Sequence, residues 1–166
     1  MNSKIFENCF SRPIQMVGKF VSFSNSSSDS KQNQTNDVFS EKWSQYNNSA
    51  EKEKLYQFQR EWYLKLYGFD TEDDLAKFLS SKKVILDAGC GLGYKAAWFA
   101  ELSPSSLVIG MDFSEAARQA ALNYKHINNL YFIQADIAET ELITGSIDYT
   151  SCDQVIMHTE RPEKTF

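Results

Sequence analysis

The chain has 166 residues, 42% of them apolar and 14% aromatic, enough to build the core of one domain. A net charge of −5 argues against a nucleic-acid backbone as the main partner, and no apolar run reaches the length of a membrane span. Cys9, Cys90 and Cys152 are odd in number and far apart, which fits neither a disulfide framework nor a zinc site and suits a reducing cytoplasm; the N-terminus carries no clear secretory signal.

Residues 1–23 scatter Phe6, Phe10, Phe20 and Phe23 without a period, and no role follows from them. Residues 24–37 are polar and of low complexity, so residues 1–37 read as a variable N-terminal segment ending in a flexible linker. From Val38 the composition changes, and residues 38–80 read as N-terminal helices. Phe39, Trp43 and Tyr46 precede a charged start at Glu51. Leu55, Phe58, Trp62 and Leu66 then recur at helical spacing, with Tyr56, Tyr63 and Tyr67 widening the apolar face. This predicts an amphipathic helix docked on the core. Gly68 ends it, and Thr71 with Asp74 resembles a capping box opening a short helix through Leu75, Phe78 and Leu79.

The run Lys83–Gly93 organises the rest. Val84, Ile85 and Leu86 read as a buried parallel strand with Asp87 at its carboxyl end, and Gly89, Gly91 and Gly93 turn the chain into a helix beginning near Tyr94. Ligands of open α/β sheets lie at such strand ends. A dinucleotide turn needs a small residue where bulky Tyr94 stands, and Asp87 would repel a pyrophosphate while favouring a cation. S-adenosylmethionine carries an ammonium and a sulfonium and no phosphate.

The helix over Tyr94–Leu102 is broken by Pro104, and strand two follows at Leu107–Met111. Ser114 can cap a helix over Glu115–Lys125. Strand three is Leu130–Gln134 and strand four Ile147–Ser151. Strands alternating with helices call for right-handed crossovers in a doubly wound α/β sheet.

The motif Asp87-Ala-Gly-Cys-Gly-Leu-Gly93 resembles motif I of the class I S-adenosylmethionine-dependent methyltransferases. Leu107–Asp112, Tyr131–Asp136 and Ser146–His158 resemble the family's second, third and fourth strands, each with its following residues. The resemblance covers about residues 80–166 and fits best the small-molecule group that includes the quinone-biosynthesis enzymes. It implies a Rossmann-like core over residues 81–166. Strands one to four of the family's seven would be present, in the order 3-2-1-4, with N-terminal helices whose aromatics could also cover the cofactor and line the substrate pocket. Pro162 reads as a helix start just before Phe166, so the expectation is a C-terminally truncated domain whose fourth strand offers an edge to another copy or to a complementing chain.

The resemblance also implies roles. Asp87 would hold the cofactor's α-ammonium, with Ala88, Gly89, Gly91 and Gly93 letting the backbone approach it. Asp112 would accept both ribose hydroxyls and Phe113 would pack on the adenine face. Asp136 would accept from the adenine amine, with Ala135 and Ile137 beside it, and Cys152 would lie where backbone meets the cofactor. No catalytic base can be named: His158 is the one titratable candidate beside the site, Asp153 weighs less, and a loop role for His158 weighs more. No metal is implied. The expected function is methyl transfer from S-adenosylmethionine to a small-molecule acceptor. A catalytically inactive domain that binds cofactor or a partner is the alternative, and a nicotinamide oxidoreductase is opposed by Asp87 and Tyr94.

Overall fold

The computed structural model describes residues 2–23, 52–159 and 162–165. The expected linker over residues 24–37 and the aromatics Phe39, Trp43 and Tyr46 lie outside them.

Five parallel strands form one sheet. They are β1 (Phe20–Ser22), β2 (Val84–Ala88), β3 (Leu107–Asp112), β4 (Leu130–Gln134) and β5 (Tyr149–Ser151), in the order β1-β4-β3-β2-β5. The last four reproduce the expected 3-2-1-4 arrangement. β1 extends it at the outer edge of β4, with Phe20 opposite Phe132 and Ser22 opposite Gln134. Residues 2–23 are therefore part of the domain. Helix α1 (Asn2–Glu7) places Phe6 against the sheet, its ring stacked on Tyr131 at 4.7 Å. Short elements of six and three residues cannot show a period, which is why no role follows from the spacing of these phenylalanines.

Side chains alternate between the two faces of each strand. Ile85, Val108, Leu130 and Phe132 face one side, where helices α2 (Lys52–Tyr67), α3 (Glu72–Ser80), α4 (Tyr94–Leu102) and α5 (Ala116–Asn123) pack. Val84, Leu86, Ile109, Met111 and Ile133 face the other, covered by Phe6, Cys9 and Phe10. Asp87, in step with Ile85, points to the helical side, towards α4.

Local chemistry sets the element ends. Thr71 Oγ1 accepts from the Asp74 amide at 3.2 Å, giving α3 its expected cap. Buried Asn129 donates through Nδ2 to the carbonyls of Ala100, Ser103 and Ser106, satisfying the end of α4 and the turn after it. Helix α5 is shorter than expected, and the Ser114 hydroxyl accepts from the Ala116 amide at 3.3 Å. β5 is also shorter than Ile147–Ser151, because the Asp148 carboxylate turns back to accept from the amides of Lys83 and Val84 at 2.9 and 2.8 Å. A final helix, α6 (Pro162–Thr165), starts on its proline as expected.

One expectation is overturned. The stripe Leu55, Phe58, Trp62 and Leu66 does not dock: Phe58 is 63% and Leu66 54% exposed. Helix α2 is rotated so that Tyr56, Arg60 and Tyr63 face the core. Tyr63, 2% exposed, sets its ring edge-on to Trp98 and Phe99 and its hydroxyl 2.7 Å from that of Tyr149. Tyr56 stacks on Tyr94 at 3.6 Å, and the Arg60 guanidinium donates to the Tyr94 hydroxyl. A buried phenol gains ring contact and keeps a hydrogen bond, so the tyrosine face outcompetes the more apolar one.

Tyr63→Ala should destabilise the protein by about 3–5 kcal/mol in urea unfolding, whereas Leu66→Ala should shift it by no more than about 0.5 kcal/mol. Equal effects would mean that α2 is docked by the other face.

Candidate functional site

The site forms where β2, β3 and β4 end. Gly89, Gly91 and Gly93 all have positive φ, 74°, 51° and 79°. At two of them the missing side chain makes room for protein. A Cβ at Gly93 would lie 2.7 Å from the Phe132 ring and 2.8 Å from Ala120; a Cβ at Gly89 would lie 2.2 Å from Val155, on the segment after β5. The bend is stitched to the neighbouring strand. The Gly89 and Cys90 amides donate to the Met111 carbonyl, the Gly91 amide to Asp112 Oδ2 at 2.8 Å and the Gly93 amide to the Cys90 carbonyl. These four donors are engaged within the chain, so none of them is offered to a pyrophosphate.

Asp87 is fully buried, and neither carboxylate oxygen receives a directed hydrogen bond among the described residues. Lys95, at the first turn of α4, brings Nζ to 3.0 Å from Asp87 Oδ1 as an ion pair. The same ammonium pairs with Asp153, which also accepts from the hydroxyls of Tyr67 and Ser151. Burial pushes the Asp87 carboxyl up to about 6, against the opposing pull of Lys95, with Asp153 and Asp112 adding to the rise. Burial also works against the charge on Lys95, but Asp87 and Asp153 outweigh it and raise its pKa above the ordinary lysine value.

The remaining sequence-derived residues lie around this centre. Asp112 accepts from Gly91 through one oxygen and from the Ser114 amide and hydroxyl, at 2.9 and 2.6 Å, through the other. Three of about four acceptor positions are filled, leaving room for one more donor. Phe113 is half-buried and follows directly. Ala88 and Ala135 are buried, and the Ala135 amide donates to the Asp112 carbonyl. Asp136 Oδ1 accepts from the Ala138 amide at 2.8 Å, which leaves Oδ2 available, and Ile137 packs against the second face of the sheet. Burial raises the Cys152 thiol, which makes it a poor nucleophile. His158 is exposed, on a single 3-10 turn (Ile156–His158) beyond Val155.

Sequence reasoning missed Lys95. Its signal was a cation in the first turn of a helix, where the dipole disfavours positive charge, directly before the apolar run Ala96–Ala100. It missed Val155 as well, because nothing local links that residue to Gly89. Among the described residues no cluster of ligands suits a metal ion, and no helix is long and apolar enough to cross a membrane.

A parallel sheet in the order 3-2-1-4, with a glycine bend and a buried acid at its first strand, defines a nucleoside-type cofactor fold of the methyltransferase kind. A family model described as a methyltransferase domain matches residues 79–166, and the chain belongs to this family, the class I S-adenosylmethionine-dependent methyltransferases. Among curated proteins, a trans-aconitate 2-methyltransferase of Deinococcus radiodurans is 39% identical over 64 residues, 39% of this chain and 23% of that one. An uncharacterized protein of Synechococcus is 29% identical over 84 residues, 48% of this chain and 20% of that one. The chain thus spans about a fifth of the length of the curated relatives it matches. A magnesium protoporphyrin IX methyltransferase from Synechocystis, solved with bound SAM, superimposes with a TM-score of 0.55 over 85% of this chain and 69% of that one, at 20% identity. That likeness concerns the fold.

Gly89→Ala should destabilise the protein by about 1–3 kcal/mol, because Val155 occupies the space a side chain would need. Adding Val155→Ala should recover part of the loss, read as a coupling of more than about 0.5 kcal/mol in a double-mutant cycle.

Proposed function

We propose that the chain binds S-adenosylmethionine at the ends of β2, β3 and β4 and takes part in methyl transfer to a small-molecule acceptor. The observation that carries this reading is the fully buried Asp87 carboxylate, whose Oδ1 is paired with Lys95 at 3.0 Å and whose Oδ2 has no hydrogen-bond donor among the described residues. A buried anion in that state favours a cationic ligand. Asp87 would face the α-ammonium, and the bend Ala88–Gly93 would adjoin the ligand's amino-acid end. Asp112, keeping its present bonds, would accept one ribose hydroxyl. Phe113 would lie on the adenine face, Asp136 would accept from the adenine amine through Oδ2, and Ala135, Ile137 and Cys152 would complete the wall. The bound cofactor would supply an activated sulfonium methyl, and the protein's part is to orient it and exclude water. His158, which is exposed, would serve a loop role more than that of a base. The three free cysteines favour a reducing, cytoplasmic setting.

A second reading is a domain that binds cofactor without turnover, completed by another copy or chain at the outer edge of β5, which has no strand partner among the described residues. Turnover of radiolabelled cofactor by the isolated chain, over a panel of small acceptors, would reject it; cofactor retention without turnover would favour it.

Calorimetry should show binding of S-adenosylhomocysteine and none of NAD; the reverse would overturn the proposal. Asp112→Ala should weaken that binding by at least about 1 kcal/mol. The pH dependence follows from Asp87. Because its pKa in the folded chain is raised to about 6, the group favours the fold at acid pH, and this contribution is lost as pH rises through 6. The ionised acid that costs the empty protein stability at neutral pH is the form that attracts an ammonium. Affinity should therefore be greatest just above pH 7, while the ligand's amine is still protonated, and fall below pH 6, approaching about tenfold per unit, and Asp87→Asn should flatten that acid limb.

A further inference from the structure

Asp87 and Lys95 are an acid and a base whose charged atoms stand 3.0 Å apart at the floor of the site. Asp87 contributes a buried oxygen, Oδ2, without a donor; Lys95 contributes an ammonium on a side chain that is one-fifth exposed. The ammonium has three donors, and Asp87 and Asp153 account for two of its charge partners. Asp153 is held by Tyr67 at Oδ1 and by Ser151 at Oδ2, the oxygen that also meets Lys95, so Lys95 is steered to this place by a partner other than Asp87. A neighbouring carboxylate and ammonium are the charge complement of an α-amino acid, which presents an ammonium and a carboxylate on one carbon. Taken together, Asp87, Asp153 and Lys95 carry one net negative charge. A ligand with an ammonium, a sulfonium and a carboxylate carries one net positive charge.

We propose that Lys95 is a cofactor-binding residue that recognises the carboxylate of the methionyl end, while Asp87 takes its ammonium. In the empty protein Lys95 serves as counter-ion to Asp87; on binding, the ligand's ammonium replaces it there, and Lys95, still anchored by Asp153, turns its charge to the ligand's carboxylate. No charge is then left buried without a partner, which is the condition for such a cluster to favour binding. This inference rests on the proposed function, and it extends that reading to specificity: the site would select the intact amino-acid end of the cofactor.

The test compares S-adenosylhomocysteine with its decarboxylated analogue, which keeps the amine, by calorimetry. The wild-type protein should bind the analogue at least about tenfold more weakly, the worth of one charge-assisted hydrogen bond. Lys95→Gln should weaken S-adenosylhomocysteine by a similar factor and the analogue by less than about threefold, so the gap closes. Equal wild-type affinity for the two ligands would overturn the inference and leave the proposed function standing, and so would a variant that loses both ligands alike. Failure of the wild type to bind either ligand would overturn both. The wild-type comparison decides the matter even where Lys95→Gln does not fold.

Discussion

The site depends on one carboxylate removed from water without a full set of donors. Asp87 closes the central strand β2 at the point where the chain must bend into α4. Burying an acid there is tolerable only beside a cation, and the cation comes from the helix that the bend creates: Lys95 lies eight positions further along the chain. The glycine bend thus brings the first turn of α4 back over the strand end that the lysine must neutralise. Asp153 ties the same ammonium to the segment after β5, and Tyr67 ties Asp153 to α2. One charge cluster links elements that are far apart in the chain, and removing Lys95, its only cation, would strand the buried Asp87 at a cost of about 3–5 kcal/mol.

Around that cluster the packing is aromatic, and it explains where small residues sit. The Phe132 ring fills the space over both Gly110 and Gly93, so strand β4 is coupled to the bend through a side chain as well as through the backbone. Tyr63 and Tyr56 dock α2 on Trp98, Phe99 and Tyr94. Helix α2 is thereby positioned by rings whose hydroxyls meet polar partners, and its more apolar stripe is left facing outward. For a helix beside a polar site, the number of groups satisfied on burial decided the orientation, and total apolarity did not.

Local pattern was enough to read β2, α4, β3 and β4, with bounds that hold to about a residue, because each is a run of apolar residues bracketed by glycine, proline or asparagine. It was enough to place Asp87, Asp112 and Asp136 at successive strand ends, since an acid that closes an apolar run needs no distant information to be noticed. Lys95 was visible only as a misfit, a cation where a helix dipole disfavours one, and its partner could not be found before the bend was folded. The outward turn of Leu66 and Phe58 had no signal at all, because spacing is the same on either face of a helix whose two sides are both apolar.

What the sequence determined alone is therefore the order of elements, the glycine bend and the acids at the strand ends, all products of short-range sterics and hydrophobic period. Tertiary structure decided the rest: that β1 joins the sheet beside β4, that Val155 closes over Gly89, and that Asp87, Lys95 and Asp153 share one charge. Each of these is a contact between segments whose separation along the chain carries no local mark. Each exists because a buried edge, void or charge must find a partner, wherever in the chain that partner lies.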